Sequence, residues 1–250
     1  MPGGAGRPVG GRGGGIRGAG GTIEYPCEWA KGLEEGKKKI KGTRDLLYLY
    51  FHRPAPRLKG SFYFSKLMQK LSMEEAVFVK IRAPKKRDKR IKELLERYKV
   101  KRLPYAIIAD AYGNPLYRGA SYTKPRTLQK QLALARKKRE KLYARLEKTV
   151  EKVKDYCRKR KYNYAAREIF KVKKQKLKGI PAVKKLYVLW DKIDRYLAKK
   201  LRKILRKSCP EEEKAALLRK LKGLAYRELP VYQKIKEALA ELRSPKVARS

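Results

Sequence analysis

Apolar positions along this chain follow two regimes. From Tyr25 to about residue 137, short compact runs alternate with amphipathic stretches; beyond Pro125 only long stripes at helical spacing remain. In the first regime, Trp29, Leu33 and Ile40 recur at roughly helical spacing in PCEWAKGLEEGKKKIKG, which predicts one helix closed by Gly42. DLLYLYF, residues 45–51, is a strand-length apolar run suited to burial on both faces of a sheet. Two prolines and a glycine in HRPAPRLKGS hold off regular structure until a helix around Phe62 to Leu71. EEAVFVKIRA predicts a second buried strand, and KKRDKRIKELLERYKV a helix with Ile91, Leu94, Leu95 and Tyr98 on one face. Residues 100–119 then supply strand, Gly113-Asn114 turn and antiparallel strand, before a helix begins near Pro125.

In the second regime Leu128, Leu132, Ala135, Leu142, Leu146, Val150 and Val153 mark one stripe on a helix reaching toward Arg160. A shorter helix is expected from Tyr164 to Lys178, and Val183, Leu186, Trp190, Ile193, Leu197, Leu201 and Ile204 mark another long one. SCPEEE, residues 208–213, predicts a new helix start with a capping residue and acids at its positive end. Gly223 is expected to close that helix and Pro230 to open the last. Stripes this regular need partners, so these helices should pack as antiparallel hairpins or a small bundle.

The order helix, strand, helix, strand, helix, strand, strand, helix implies crossovers over a central sheet. ERYKVKRLP followed by AIIADAYGNPLYRG resembles the thioredoxin fold family, with Pro104 standing where that family keeps a cis-proline. The resemblance covers about residues 25–137. It implies an α/β thioredoxin-like domain followed by an all-α basic helical region. The expected layout is a disordered Gly/Arg-rich arm over 1–22, the thioredoxin-like domain over 23–137, basic helical hairpins or a bundle over 138–244, and a frayed tail over 245–250. One departure changes the expected chemistry. Where the family carries Cys-x-x-Cys, this chain reads His52-Arg53-Pro54-Ala55-Pro56-Arg57, and Cys27, Cys157 and Cys209 lie far apart. Dithiol exchange needs a thiolate and a resolving partner, so the domain is expected to be redox-inactive. Cys27 fits a small, partly buried apolar role, and His52 has no Ser or Cys nucleophile beside it. No catalytic residues, metal ligands or cofactor site are expected, because no Cys/His cluster, catalytic acid pair or phosphate loop is present.

Charge then dominates the picture. The chain has 69 Lys and Arg against 24 acids, a net +45 over 250 residues. A polyanion relieves the self-repulsion of so many cations, which makes nucleic acid the expected partner. Residues 130–209 alone hold 30 Lys and Arg against 7 acids. Like charges four apart on a helix each cost a few tenths of a kcal/mol, a penalty that phosphate would offset. The candidate nucleic-acid contacts are Arg136, Lys137, Lys138 and Arg139; Arg158, Lys159, Arg160 and Lys161; Lys173 and Lys174; and Lys199, Lys200, Arg202 and Lys203. Among the interleaved tyrosines, Tyr162 and Tyr164 beside the second cluster are the candidates for base stacking. No helix-turn-helix, zinc finger or RNA-recognition aromatic motif is present, so binding is expected to follow backbone and shape. Structured RNA, as in a ribosome-associated protein, is favoured over DNA, where the same charges would compact duplex in a chromatin-like role. An acidic protein bound by a scaffold is the other partner class. No stretch has the length and apolarity of a membrane span, and a cytoplasmic location is expected.

Overall fold

The computed structural model of the chain describes residues 16–17, 23–24, 27–42, 44–53, 65–83, 88–121 and 124–242. They fall into two units, Met1–Lys137 and Lys138–Ser250. Of the arm over 1–22, only Ile16–Arg17 (β1) is described, paired antiparallel with β2 (Ile23–Glu24). The expected tail over 245–250 and the expected helix start at Phe62 lie outside the described residues.

The first unit is built on a mixed sheet of β3 (Trp29–Ala30), β4 (Leu46–His52), β5 (Val77–Arg82), β6 (Tyr105–Asp110) and β7 (Pro115–Arg118). The spatial order is β3-β5-β4-β6-β7, with β3 and β4 parallel to β5 and the last two pairings antiparallel. The helices between the strands are α1 (Leu33–Lys38), α2 (Lys66–Lys70) and α3 (Lys89–Arg97). Leu46 to Phe51 of β4 are all buried, which is why the run carries no polar alternation. Leu47, Leu49 and Phe51 join Val77, Val79, Ile81 and Ile107 in one cluster with Leu33 and Tyr98, and Ile91, Leu94 and Leu95 of α3 pack against it. The alternate residues Leu46, Tyr48, Tyr50, Phe78 and Ile108 are buried as well, so both faces are covered. The Tyr48 ring packs tilted against Phe78, centroids 4.8 Å apart, and its hydroxyl donates to the Ser121 carbonyl at 3.0 Å.

Two expectations for the first unit change. Trp29 and Ala30 lie in a strand paired with Phe78 and Val79, not in a helix. The Trp29 ring packs on Tyr48, Tyr50 and Phe78, and these tertiary contacts with the ladder override the helical spacing. The helix is confined to Leu33–Lys38, and Gly36 lets it press close: a Cβ there would meet Val79 Cγ2 at 2.4 Å. The second change is in α2, capped by Ser65 accepting from the Met68 amide at 3.2 Å, which runs directly into a π-helical turn over Leu71–Glu75.

The β6–β7 turn is closely specified. Asp110, fully buried, accepts from the amides of Tyr112 at 2.9 Å and Asn114 at 2.7 Å. Gly113 takes φ 78°, a region other residues resist, and its carbonyl accepts from the Tyr98 hydroxyl at 2.8 Å. Leu103–Pro104, just before β6, is cis.

The helix α4 (Pro125–Arg158) starts in the first unit, where Leu128, Leu132 and Ala135 are buried and Gln131 accepts from the Ser121 amide at 2.7 Å. The second unit comprises the rest of α4 with α5 (Tyr162–Lys173), α6 (Pro181–Arg206), α7 (Glu211–Leu224) and α8 (Pro230–Glu241). Its core is drawn from the stripes: Leu146, Val150 and Val153; Ala165, Ala166, Ile169 and Val172; Leu186, Trp190, Ile193, Leu197 and Leu201; Leu218 and Leu221; Val231, Ile235 and Leu239. Boundaries shift where the backbone turns left-handed or extended. α4 ends at Arg158 because Arg160 has φ 57°, and α5 ends at Lys173, short of Lys178, with Lys176 at φ 53°. Gly223 stays inside α7, which stops where Ala225 becomes extended. That helix has no side-chain cap at its start; Glu211, Glu212 and Glu213 complement its positive end instead.

Candidate nucleic-acid interface

The four basic clusters do not behave alike. In the first, Arg136 points into the first unit: it forms an ion pair with Glu75, lies 3.6 Å from the Asp45 carboxylate, and donates to the Glu75 carbonyl at 2.7 Å. Its charge is neutralised within the fold. Lys137 and Lys138 are exposed and form no ion pair with a described residue, while Arg139 is half-buried.

The second cluster occupies the reversal between α4 and α5. Arg160, at φ 57°, sits just past the helix end, and the Lys161 amide reaches back to the Tyr156 carbonyl at 2.8 Å. That closure of the last turn usually uses glycine; here the left-handed residue is an arginine. Arg158, Lys159, Arg160 and Lys161 are all exposed. Lys159 pairs with Asp155 at 2.8 Å, and its hydrogen bond, assisted by the charges of Arg158 and Lys161, holds the Asp155 carboxyl below its ordinary range. Cations at the end of α4 suit that helix's negative pole. Lys161, however, is also the residue flanking the start of α5, which has no acid in its first turn and no side-chain cap. Positive side chains therefore meet the positive pole of α5, an arrangement that an anion stabilises.

The structure brings this turn together with the fourth cluster. The Tyr162 and Tyr196 rings lie 4.9 Å apart, and Tyr196 belongs to α6. Lys200, one helical turn on, sits 5.0 Å from the Tyr196 ring. The Tyr196 hydroxyl is shifted down, chiefly by the Lys200 hydrogen bond, with further help from Tyr162 and the Arg160 charge; the Tyr162 hydroxyl is shifted up by burial and by hydrogen bonding with Tyr196. Arg160, Tyr162, Tyr196 and Lys200 thus form one node, with Tyr196 37% exposed. Lys199, Arg202 and Lys203 stand exposed on the same helix without an ion pair to a described residue. Tyr164 is 56% exposed, with its ring 5.8 Å from Tyr156, so one face can still be covered by a base.

The third cluster is separate. Lys173 lies 4.2 Å above the Trp190 ring and 5.8 Å from Tyr187, and Lys174 lies 4.9 Å from Phe170. Tyr187 and Tyr196 are nine positions apart on α6, roughly 14 Å of helix. With its ammonium held over the Trp190 ring, Lys173 is less free for phosphate than the turn lysines.

Sequence reasoning did not single out Tyr196 as a contact. Its signal was available in the Tyr196/Lys200 spacing of one helical turn, but its link to Tyr162 spans 34 residues and depends on how α5 packs against α6. The thiol of Cys27 is pushed up to about 11, mainly by burial, so it is a poor nucleophile at neutral pH. Among the described residues no three His, Cys, Asp or Glu side chains converge to hold a metal, and no helix is long and apolar enough to cross a membrane.

No known protein family matches the chain, and no characterised protein is detectably similar to it in sequence. Among solved structures, a chain described as "DsbH Oxidoreductase" is a weak neighbour at 17% identity and a TM-score of 0.36, covering 45% of this chain and 87% of that one.

Proposed function

We propose that this chain is a non-enzymatic nucleic-acid-binding protein that grips structured RNA by its backbone and shape, as a ribosome-associated component. The observation that carries the reading is the turn between α4 and α5, where exposed Arg158, Arg160 and Lys161 flank a helix start lacking any acid, beside the Tyr162–Tyr196–Lys200 node. Cations placed there repel one another and the helix pole unless phosphate neutralises them.

The first unit is a thioredoxin-like domain that carries out no dithiol exchange. The strand order β3-β5-β4-β6-β7, with Pro104 directly ahead of β6, supports the fold assignment. The raised Cys27 pKa, and the absence of a second cysteine near it in sequence, support the lack of redox chemistry.

The test is competition between structured RNA and duplex DNA of equal phosphate count, at several salt concentrations, with the full chain. RNA is expected to win, and nuclease treatment of a low-salt lysate should strip the co-purifying material. Preference for duplex would replace the reading with chromatin-like compaction of DNA. Indifference to both near physiological ionic strength would end it in favour of a scaffold for an acidic protein.

A further inference from the structure

A second basic feature of the second unit draws on other cations than the turn does. Between α5, α7 and α8 the second unit holds a cavity of about 770 Å³, lined by Arg167, Arg219, Lys222, Arg227, Tyr226 and Tyr232 together with smaller residues. No carboxylate is among the described residues that line it. Arg227 lies 3.6 Å from Glu228, whereas Arg167, Arg219 and Lys222 form no ion pair with any described residue. Four cations around one concavity are costly to the fold by themselves, and a core-like hollow would be lined by apolar side chains. The cavity's size falls in the range of small-molecule sites, and its chemistry is cationic and aromatic together.

The aromatic part is organised. Tyr226 is braced against Phe170, with ring centroids 5.6 Å apart, and Tyr232 lies 5.7 Å from the Lys222 ammonium. A smaller cavity that shares Arg219 is lined by Glu211 and Glu212. Those acids disfavour an anion in the smaller cavity, whereas the larger one offers Arg167 and Lys222 beside Arg219. Gly223 borders the larger cavity, and a Cβ placed on it would meet nothing within 4 Å.

We propose that this cavity binds a nucleotide: a phosphate held by Arg167, Arg219 and Lys222, and a base lying against the tyrosines. Base–aromatic stacking and charge-assisted contacts to phosphate oxygens are each too weak alone and together suffice for a specific site. The occupant is either a free nucleotide or one unpaired nucleotide of an RNA, the ligand chemistry being the same. Asn163, in the first turn of α5, also lines the cavity, but its cations are none of those at the α4–α5 turn, so the proposal is tested separately from the proposed RNA grip.

The experiment is calorimetric titration of the full chain with AMP, adenosine and inorganic phosphate. AMP is expected to bind at least about tenfold more tightly than either of its parts, since each contributes only one of the two contacts. Gly223→Leu is the decisive variant. It replaces a helical glycine with a better helix former, so the fold is kept or strengthened, and it adds a bulky side chain at a residue that borders the cavity. It and Arg219→Ala should each weaken AMP by about tenfold or more, while neutralising the α4–α5 turn leaves AMP binding unchanged. Displacement of AMP by an RNA hairpin with a single bulged nucleotide, but not by its fully paired counterpart, assigns the source to RNA; no displacement by either assigns it to free nucleotide. AMP binding no tighter than phosphate, or equal binding by wild type and a folded Gly223→Leu variant, overturns the proposal.

Discussion

Neutralising the α4–α5 turn gives the proposed grip on nucleic acid a quantitative test. The perturbation is Arg158→Gln, Lys159→Gln, Arg160→Asn and Lys161→Gln in one variant. Asparagine is chosen at 160 because the backbone there has φ 57°, which it adopts at small cost and glutamine does not. Lys159 already has Asp155 at 2.8 Å, so three of the four cations are available for phosphate. Each neutralised phosphate contributes roughly 0.7 to 0.9 to the log–log salt slope, so the slope should fall by about 2 to 3. Across a fourfold rise in salt, from about 50 to 200 mM, a slope change near 2.4 makes the wild type lose about thirtyfold more affinity than the variant. The assay is filter binding to a structured RNA over that salt range, with thermal denaturation confirming that the variant folds. A slope unchanged to within about 0.5 would refute the reasoning, because it would mean that these side chains release no counterions on binding.

Other expectations follow from residues with different partners. Arg136→Ala leaves Glu75 without its cation and should destabilise the chain by about 1–3 kcal/mol in a denaturant titration, yet leave the salt slope unmoved. Tyr164→Leu removes an exposed stacking surface and should weaken binding to single-stranded RNA by about 1–3 kcal/mol while sparing fully paired RNA. Gly36→Ala places a Cβ 2.4 Å from Val79 and should cost about 1–3 kcal/mol or more, measured as a lowered melting temperature. For Cys27, a thiol pushed up to about 11 from its ordinary 9.0 means about a hundredfold less thiolate, so alkylation at neutral pH should be slow by that factor relative to the unfolded chain. Because the folded state holds that proton more tightly, its contribution is intact below pH 9 and is lost as pH climbs toward 11, so the alkaline fall in stability should shrink in Cys27→Ala.

The parts of this structure that the sequence displayed are those set by local pattern. β4, β5 and the β6–β7 hairpin are continuous apolar runs with a specified turn, and α4 and α6 carry unbroken stripes, so each states its own period. Trp29–Ala30 escaped because two residues show no period, and their strand identity comes only from lying beside β5. The π-helical turn after α2 escaped for a similar reason, its apolar spacing being indistinguishable from a continuing α-helix. At the interface the basic clusters were plain, but their standing was not. Arg136 meets Glu75 across 61 residues and Tyr162 meets Tyr196 across 34, and neither pairing leaves a trace in local composition. The nucleotide-sized cavity is harder still, since its cations come from α5, α7 and the link to α8, each an ordinary basic position in its own helix.

The two tryptophans divide evenly: Trp29 lies in the first unit beneath the Lys80 ammonium at 4.7 Å, and Trp190 lies in the second beneath Lys173 at 4.2 Å. Each unit therefore contains one indole with a lysine ammonium over its ring, and replacing either with phenylalanine leaves a fluorophore that reports on the other unit alone. Melting the two single-tryptophan proteins side by side would reveal whether the halves lose their structure together or one after the other, with no external dye.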